Sequence, residues 1–229
     1  MNPAQASLDP RGSSVGEFRG LYAVTPDEID TAKLVRKVRM ALAGGARIVQ
    51  YRNKSANATL RREQGAALLA VCRAVRVPLI INDDLDLAAA LEADGLHVGR
   101  DDLPVAAARK RLGKGSLVGA SCYDRLDLAV RARSAGADYV AFGSAFSSTT
   151  KSGATRAPLS LYRDAKARLD CPVVAIGGIT SENARAVIEA GADAIAVISA
   201  LFDAHDIERS AREFASLFGV HGLEKRSPV

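Results

Sequence analysis

The chain has 229 residues, 48% of them hydrophobic and 25% charged, and carries a net charge of +5. That composition suits one large globular domain and excludes a disordered or fibrous chain. Only 5% of residues are aromatic, none is Trp, and the basic residues form no long block, which argues against a nucleic-acid surface.

Taken in chain order, residues 1–17 are rich in Pro, Gly and Ser and lack a hydrophobic signal core, so they read as a flexible tail. An apolar run at Leu21–Thr25 predicts the first strand. The three- and four-residue apolar spacing over Ile29–Ala43 predicts the first helix. Ala43-Gly44-Gly45-Ala46 then leads into Ile48-Val49-Gln50, a second strand, followed by a helical pattern over Ala58–Val75. The third strand is Pro78–Ile81. Glu92-Ala93-Asp94-Gly95 leads into a fourth at Leu96-His97-Val98-Gly99, and Leu117–Ser121 is the fifth. A helix over Leu126–Ser134 precedes Ala135-Gly136-Ala137-Asp138 and the sixth strand, Tyr139–Phe142. Pro172–Ile176 is the seventh. A helix over Glu182–Ala190 and the phrase Ala190-Gly191-Ala192-Asp193 precede the eighth, Ala194–Val197. The four copies of the small-residue phrase are each two strand–helix units apart. Glycine there suits a helix C-terminus. Pro78, Pro104, Pro158 and Pro172 fall at element starts.

Alternating strand and helix implies a parallel sheet. Eight such units over residues 18–218 predict a single-domain α/β fold, a (β/α)₈ TIM barrel, with residues 219–229 as a second tail. A doubly wound open sheet is the alternative, but it offers one ligand crevice, whereas here polar or glycine-rich motifs follow most of the strands. No apolar run approaches the ~18 residues that span a bilayer, so no membrane is expected as a partner. Three widely spaced cysteines, Cys72, Cys122 and Cys171, match neither a disulfide framework nor a zinc site, and a cytoplasmic location is expected. Cys72 and Cys171 read as core residues. Cys122 is placed beside the site but without the features of an activated thiolate. The densest basic run, Arg109-Lys110-Arg111, reads as a solvated helix face.

The chemistry is expected at the C-terminal ends of the strands. Gln50, Arg52 and Lys54 alternate after strand two and so share one face with Ile48, while Val49 and Tyr51 face the other way. Buried cations of this kind need an anionic partner. Asn82-Asp83-Asp84 ends strand three, and Asp102 follows strand four. On neighbouring strands, about 5 Å apart at the backbone, Asp83 and Asp102 suit a Mg²⁺ that keeps waters and takes phosphate oxygens. The alternative for Asp83 and Asp84 is capping of the next helix, preferred for Asp84 and left open for Asp83. Ser121 ends strand five. Ser147-Ser148-Thr149-Thr150-Lys151 reads as an anion-binding lid or an ordinary surface loop. Gly177-Gly178 and Ile198-Ser199 follow strands seven and eight, where backbone N–H groups hold phosphates, although a Gly-Gly pair alone is also a plain turn. His97 reads as a satisfied interior residue, and His205 and His221 as surface residues.

Together these motifs, with Leu21-Tyr22-Ala23-Val24-Thr25, Ala93-Asp94-Gly95-Leu96-His97-Val98-Gly99, Gly119-Ala120-Ser121, Ala175-Ile176-Gly177-Gly178-Ile179 and Val197-Ile198-Ser199-Ala200, resemble the thiamine-phosphate synthase family over residues 20–215. The resemblance implies a transferase that joins 4-amino-5-hydroxymethyl-2-methylpyrimidine diphosphate to a thiazole phosphate with loss of diphosphate. It implies that Gln50, Tyr51, Arg52, Asn53, Lys54, Asn82, Ser121 and Lys151 bind the pyrimidine diphosphate. Arg52, Lys54, Ser121 and Lys151 take catalytic roles, and Asp83 and Asp102 hold Mg²⁺. Ser148, Thr149, Thr150, Gly178, Ile198 and Ser199 bind the thiazole phosphate. The expected route is dissociative, through a pyrimidine-stabilised carbocation. Departures fall at Ser144 and Ser147, where many members carry proline, at Ser148, where threonine is usual, and at Arg100, often Gln; a less rigid loop is expected from the first two. Two rivals remain: the related thiazole tautomerase, which carries a histidine soon after the strand-five serine where this chain has Cys122-Tyr123-Asp124, and a silent paralogue that binds thiamine precursors and regulates.

Overall fold

The apolar runs pair side by side in chain order and close on themselves. The strands are β1 (Gly20–Val24), β2 (Ile48–Tyr51), β3 (Leu79–Asn82), β4 (Gly95–Val98), β5 (Leu117–Tyr123), β6 (Tyr139–Phe142), β7 (Val173–Ile176) and β8 (Ala194–Val197). All neighbours are parallel, and β8 pairs with β1 to complete an eight-stranded barrel. The computed structural model describes residues 18–99, 104–147 and 156–219. Helices α1 (Thr31–Ala43), α2 (Ala58–Ala74), α3 (Leu85–Ala90), α4 (Val105–Leu112), α5 (Leu126–Ser134), α6 (Leu159–Arg168), α7 (Ala184–Glu189), α8 (Ser199–Phe202) and α9 (Ile207–Ser216) follow the strands. None of the described helices is long and apolar enough to cross a membrane. The open-sheet alternative is excluded by the β1–β8 pairing.

Alternation along each strand sorts side chains into two cores. Leu21, Ala23, Val49, Tyr51, Leu79 and Ile81 pack outward against the helices. Tyr22, Val24, Ile48, Ile80, Tyr139, Ala141, Val174, Ala194 and Ala196 fill the barrel interior, together with Phe18. Phe18 stacks on Tyr139 with ring centroids 4.2 Å apart and closes the barrel floor. Each fully buried aliphatic or aromatic side chain here stabilises the fold by roughly 1.5–3 kcal/mol.

The recurring phrase has a structural explanation in two parts. One residue in each copy, Gly45, Glu92, Gly136 and Gly191, takes positive φ (102°, 50°, 99° and 110°). The next residue's N–H then returns to a carbonyl five residues back, as in Ala46 to Ala41 and Ala137 to Ala132, which is the helix stop of a Schellman turn. The aspartate that follows accepts from the first N–H groups of the preceding strand: Asp94 from Leu79 at 2.9 Å, Asp138 from Val118 at 2.7 Å, and Asp193 from Val173 at 2.8 Å. Helix stop and strand start are thus coded together.

Three expectations need correction. Helix α1 begins at Thr31 rather than at Ile29, because Asp30 caps it by accepting from Lys33 N–H; Ile29 is left outside the helix and 79% exposed. Helix α7 is shorter at its start than Glu182, beginning at Ala184. Arg109 is not simply solvated: its guanidinium donates to the carbonyls of Gly113, Ser116 and Gly136 and pairs with Asp138, tying α4 to the strand starts. Asp84 is the side-chain cap of α3, accepting from Leu87 N–H at 2.9 Å. Asp84→Ala is therefore expected to cost about 1 kcal/mol in chemical denaturation; a change under about 0.3 kcal/mol would remove the cap from the explanation.

Candidate active site

The end of β2 is built by parity and then locked by the loop after β1. Gln50 points inward and is 5% exposed, above Ile48. Tyr51 points outward and donates to Gln64 Oε1 of α2 at 2.9 Å. Burial pushes its phenol up to about 12, so it stays neutral. Arg52 and Thr25 bond reciprocally, Arg52 N–H to Thr25 Oγ1 at 2.9 Å and Thr25 O–H to the Arg52 carbonyl at 2.8 Å. Asp27 approaches the Arg52 guanidinium at 3.5 Å and accepts from Lys54 N–H at 3.0 Å. Asn53 is spent inside the protein. Its amide donates to the Glu28 carbonyl and Gln64 Oε1 and accepts from Ser55 O–H and Ala56 N–H. The loop therefore presents Arg52 and Lys54 while Tyr51 and Asn53 anchor it.

At the end of β3, Asn82 donates to the Asp83 carboxylate at 2.6 Å. Asp84 N–H returns to the Asn82 carbonyl at 2.7 Å, and Asp83 N–H is held by the His97 carbonyl at 2.9 Å. These bonds hold Asp83 at φ 61°, a left-handed geometry that costs a non-glycine residue about 1 kcal/mol or more. The strain lies under a carboxylate aimed at the rim. A cleft of about 370 Å³ runs along this edge, lined by Lys54, Arg61, Asn82, Asp83 and Asp84 among others.

Inside the mouth, His97 is 7% exposed, its Nδ1 3.0 Å from the Tyr139 hydroxyl and its Nε2 2.9 Å from Ser121 Oγ. It is a satisfied interior residue, as expected. Gly119 sits opposite the Tyr139 ring, where a Cβ would lie 2.0 Å from Cζ. Cys122, expected beside the site, faces the helix layer instead. Burial pushes its thiol up to about 12, opposite to what a thiolate nucleophile requires. Among the described residues no cluster of three His, Cys, Asp or Glu could by itself hold a metal.

The loops after β6, β7 and β8 meet on the same face. Ala145 N–H bonds the Ile176 carbonyl and Phe146 N–H the Gly177 carbonyl. A Cβ at Gly178 would lie 2.3 Å from the Ser147 carbonyl oxygen, so the two loops touch through bare backbone. Asn183 fixes the turn by donating to the Gly178 carbonyl and accepting from Thr180 N–H. Ser144 donates to the Phe146 carbonyl at 2.5 Å, a tie that proline could not make. Ile198 leads directly into α8, which starts at Ser199. Asp102, Ser148, Thr149, Thr150, Lys151 and Arg100 lie outside the described residues.

The barrel thus gathers Gln50, Arg52, Lys54, Asn82, Asp83, Ser121, Gly178, Ile198 and Ser199 at one end. A family model described as Thiamine monophosphate synthase matches residues 21–201. The chain belongs to that family. It is accordingly an enzyme, a transferase. A thiamine-phosphate synthase of Methylobacillus flagellatus is 56% identical over 206 residues, covering 90% of this chain and 98% of the relative. One of Chromobacterium violaceum is 56% identical over 200 residues, covering 87% and 96%. A solved thiamine phosphate pyrophosphorylase from Pyrococcus furiosus superposes with a TM-score of 0.80 at 35% identity, covering 88% of this chain and 96% of its own. A 3-hexulose-6-phosphate synthase shares the fold at a TM-score of 0.66 and 20% identity, covering 86% and 98%. Within this thiamine monophosphate synthase family member, sequence reasoning missed Asp27, Gln64, Tyr22 and Tyr139. The available signals were polar groups at inward strand positions and on the buried face of α2.

Proposed function

We propose that the mouth binds the aminomethylpyrimidine diphosphate along the β2–β3 edge and the thiazole phosphate against the loops after β6 to β8, and joins them with release of diphosphate to form thiamine phosphate. One observation carries this reading: the cationic end of β2 and the strained Asn82-Asp83 turn stand side by side on the rim, in a chain of this family. Arg52 and Lys54 would bind the diphosphate and stabilise charge as the C–O bond breaks. Asn82 and Ser121 would orient the pyrimidine diphosphate, with Gln50 beside the ring, while Tyr51 and Asn53 hold the loop in register. Lys151 is assigned the same leaving-group role as Arg52. Gly178, Ile198 and Ser199, with Ser148, Thr149 and Thr150, would hold the thiazole phosphate and aim its ring nitrogen at the carbon that loses diphosphate. No side chain is needed as a nucleophile, and cations that stabilise the negative charge growing on the departing diphosphate suit a dissociative route through a pyrimidine-stabilised cation.

A rim carboxylate beside an amide, here Asp83 beside Asn82, fits a hard cation that keeps waters and accepts phosphate oxygens better than one enclosed by protein. Asp83 would hold a Mg²⁺ with Asp102, and the ion when bound would supply positive charge to the departing diphosphate. The Cys122-Tyr123-Asp124 run after Ser121 disfavours the tautomerase reading. Three cysteines that are all free and buried favour a cytoplasmic location, and we take residues 18–218 as the catalytic barrel; residues 1–17 and 220–229, expected as tails, lie outside the described residues. The test is to mix both substrates with Mg²⁺. Thiamine phosphate and diphosphate are expected in equal amounts, and neither would form if the reading is wrong.

A further inference from the structure

A single file of hydrogen bonds crosses the barrel from β2 to β5. Gln50 Nε2 donates to the Tyr22 hydroxyl at 2.8 Å, and the Tyr22 and Tyr139 hydroxyls are 2.8 Å apart. Tyr139 lies 3.0 Å from His97 Nδ1, and His97 Nε2 lies 2.9 Å from Ser121 Oγ. Among the described residues, no buried side-chain nitrogen or oxygen is left without a partner. Each hydroxyl has one proton to give. Tyr22 receives from the amide, so its own proton is directed at Tyr139, and that of Tyr139 at His97 Nδ1. A neutral ring accepting at Nδ1 carries its proton on Nε2 and gives it to Ser121. Ser121 Oγ, already an acceptor, has its own proton left to donate. Turning the Gln50 amide would reverse every member of the file and make Ser121 spend its proton on His97. Burial pushes both phenols up, so neither becomes a phenolate that would break the sequence of donors.

We propose that this file holds the Ser121 hydroxyl as a hydrogen-bond donor toward the barrel mouth, with Tyr22 and Tyr139 as positioning residues that act through His97. The site then takes an acceptor atom of the pyrimidine diphosphate at Ser121, a ring nitrogen or a diphosphate oxygen, and disfavours an analogue presenting a donor there. The substrate half of this statement rests on the function proposed above; the polarity of the file does not.

The test reads the polarity directly. The chain has three histidines, so isotope-labelled imidazole NMR of the substrate-free protein can assign the tautomer of His97. The expected result is a proton on Nε2 and a bare Nδ1. Tyr139→Phe keeps the ring but removes the donor to Nδ1, and should move His97 to a mixture of tautomers. It should raise KM for the pyrimidine diphosphate about five- to tenfold, leave KM for the thiazole phosphate unchanged, and have no further effect in a Ser121→Ala background. A His97 proton on Nδ1, an unchanged tautomer in Tyr139→Phe, or losses that simply add to those of Ser121→Ala would each overturn the proposal. If Tyr139→Phe does not fold, the wild-type spectrum and Tyr22→Phe decide it. A wild-type protein that makes no thiamine phosphate would sink the functional reading while the tautomer still settles the direction of the file.

Discussion

Asp83→Asn is expected to lower turnover by at least about 10²-fold while leaving the fold intact. The substitution keeps shape and removes one negative charge at the rim. Asparagine adopts the left-handed backbone region about as readily as aspartate, so the φ of 61° at this position is no obstacle. The backbone bonds of the turn, from Asp83 N–H to the His97 carbonyl and from Asp84 N–H to the Asn82 carbonyl, survive, and the asparagine Oδ1 can still accept from the Asn82 amide that now donates to the Asp83 carboxylate. Stability should therefore stay within about 1 kcal/mol of wild type, and the loss should appear in steady-state rates measured across a Mg²⁺ titration. Full activity in the variant, or wild-type activity unaffected by a chelator, would remove the metal from the reaction. Asp83→Gly sharpens the contrast. Glycine relieves the left-handed strain but adds backbone entropy to the unfolded chain; the two nearly offset, so inactivity without unfolding is expected there too.

Gly119→Ala should have the largest effect on folding. The added carbon would lie 2.0 Å from Cζ of Tyr139 and 2.4 Å from both Cε atoms, far inside van der Waals contact. Tyr139 has nowhere to retreat. Phe18 stacks on its ring at 4.2 Å, and its hydroxyl is held by Tyr22 and His97. Overpacking of a rigid core costs about 1–3 kcal/mol and occasionally more, and this site belongs at the upper end. With total stability of about 5–15 kcal/mol, a loss of about 3 kcal/mol should be plain in the midpoint of chemical denaturation. Because the clashing atoms are ring carbons, adding Tyr139→Phe should not rescue the variant, whereas the shorter Tyr139→Leu should do so in part. A Gly119→Ala protein within about 1 kcal/mol of wild type would show that the barrel floor yields more than its packing implies.

These two positions also differ in how visible they were beforehand. Asp83 was legible because carboxylates after an apolar strand in an alternating pattern point to one rim. Gly119 looked like one small residue in a motif, since what it meets comes from β6, twenty positions later in the chain. The same contrast runs through the molecule. Strand parity placed Gln50 and Arg52 on the face of Ile48, and the helix-stop phrase located every second strand, because both are local consequences of backbone geometry. The pairing of Arg52 and Lys54 with Asp27, the outward turn of Cys122, the burial of Arg109 against strand starts and the exposure of Ile29 depended on partners that local patterning does not name.

What the amino-acid order determined by itself was the alternation of strand and helix, the inward or outward sense of each strand residue, and the family to which the motifs belong, since these follow from periods of two and 3.6 residues and from residue types at fixed spacing. Closure of β8 on β1, the strained turn under Asp83, and the file of hydroxyls, imidazole and amide across the interior were decided only when distant strands were brought to one radius. There a phenol, a ring nitrogen and a serine each needed a partner that no neighbour in sequence could supply.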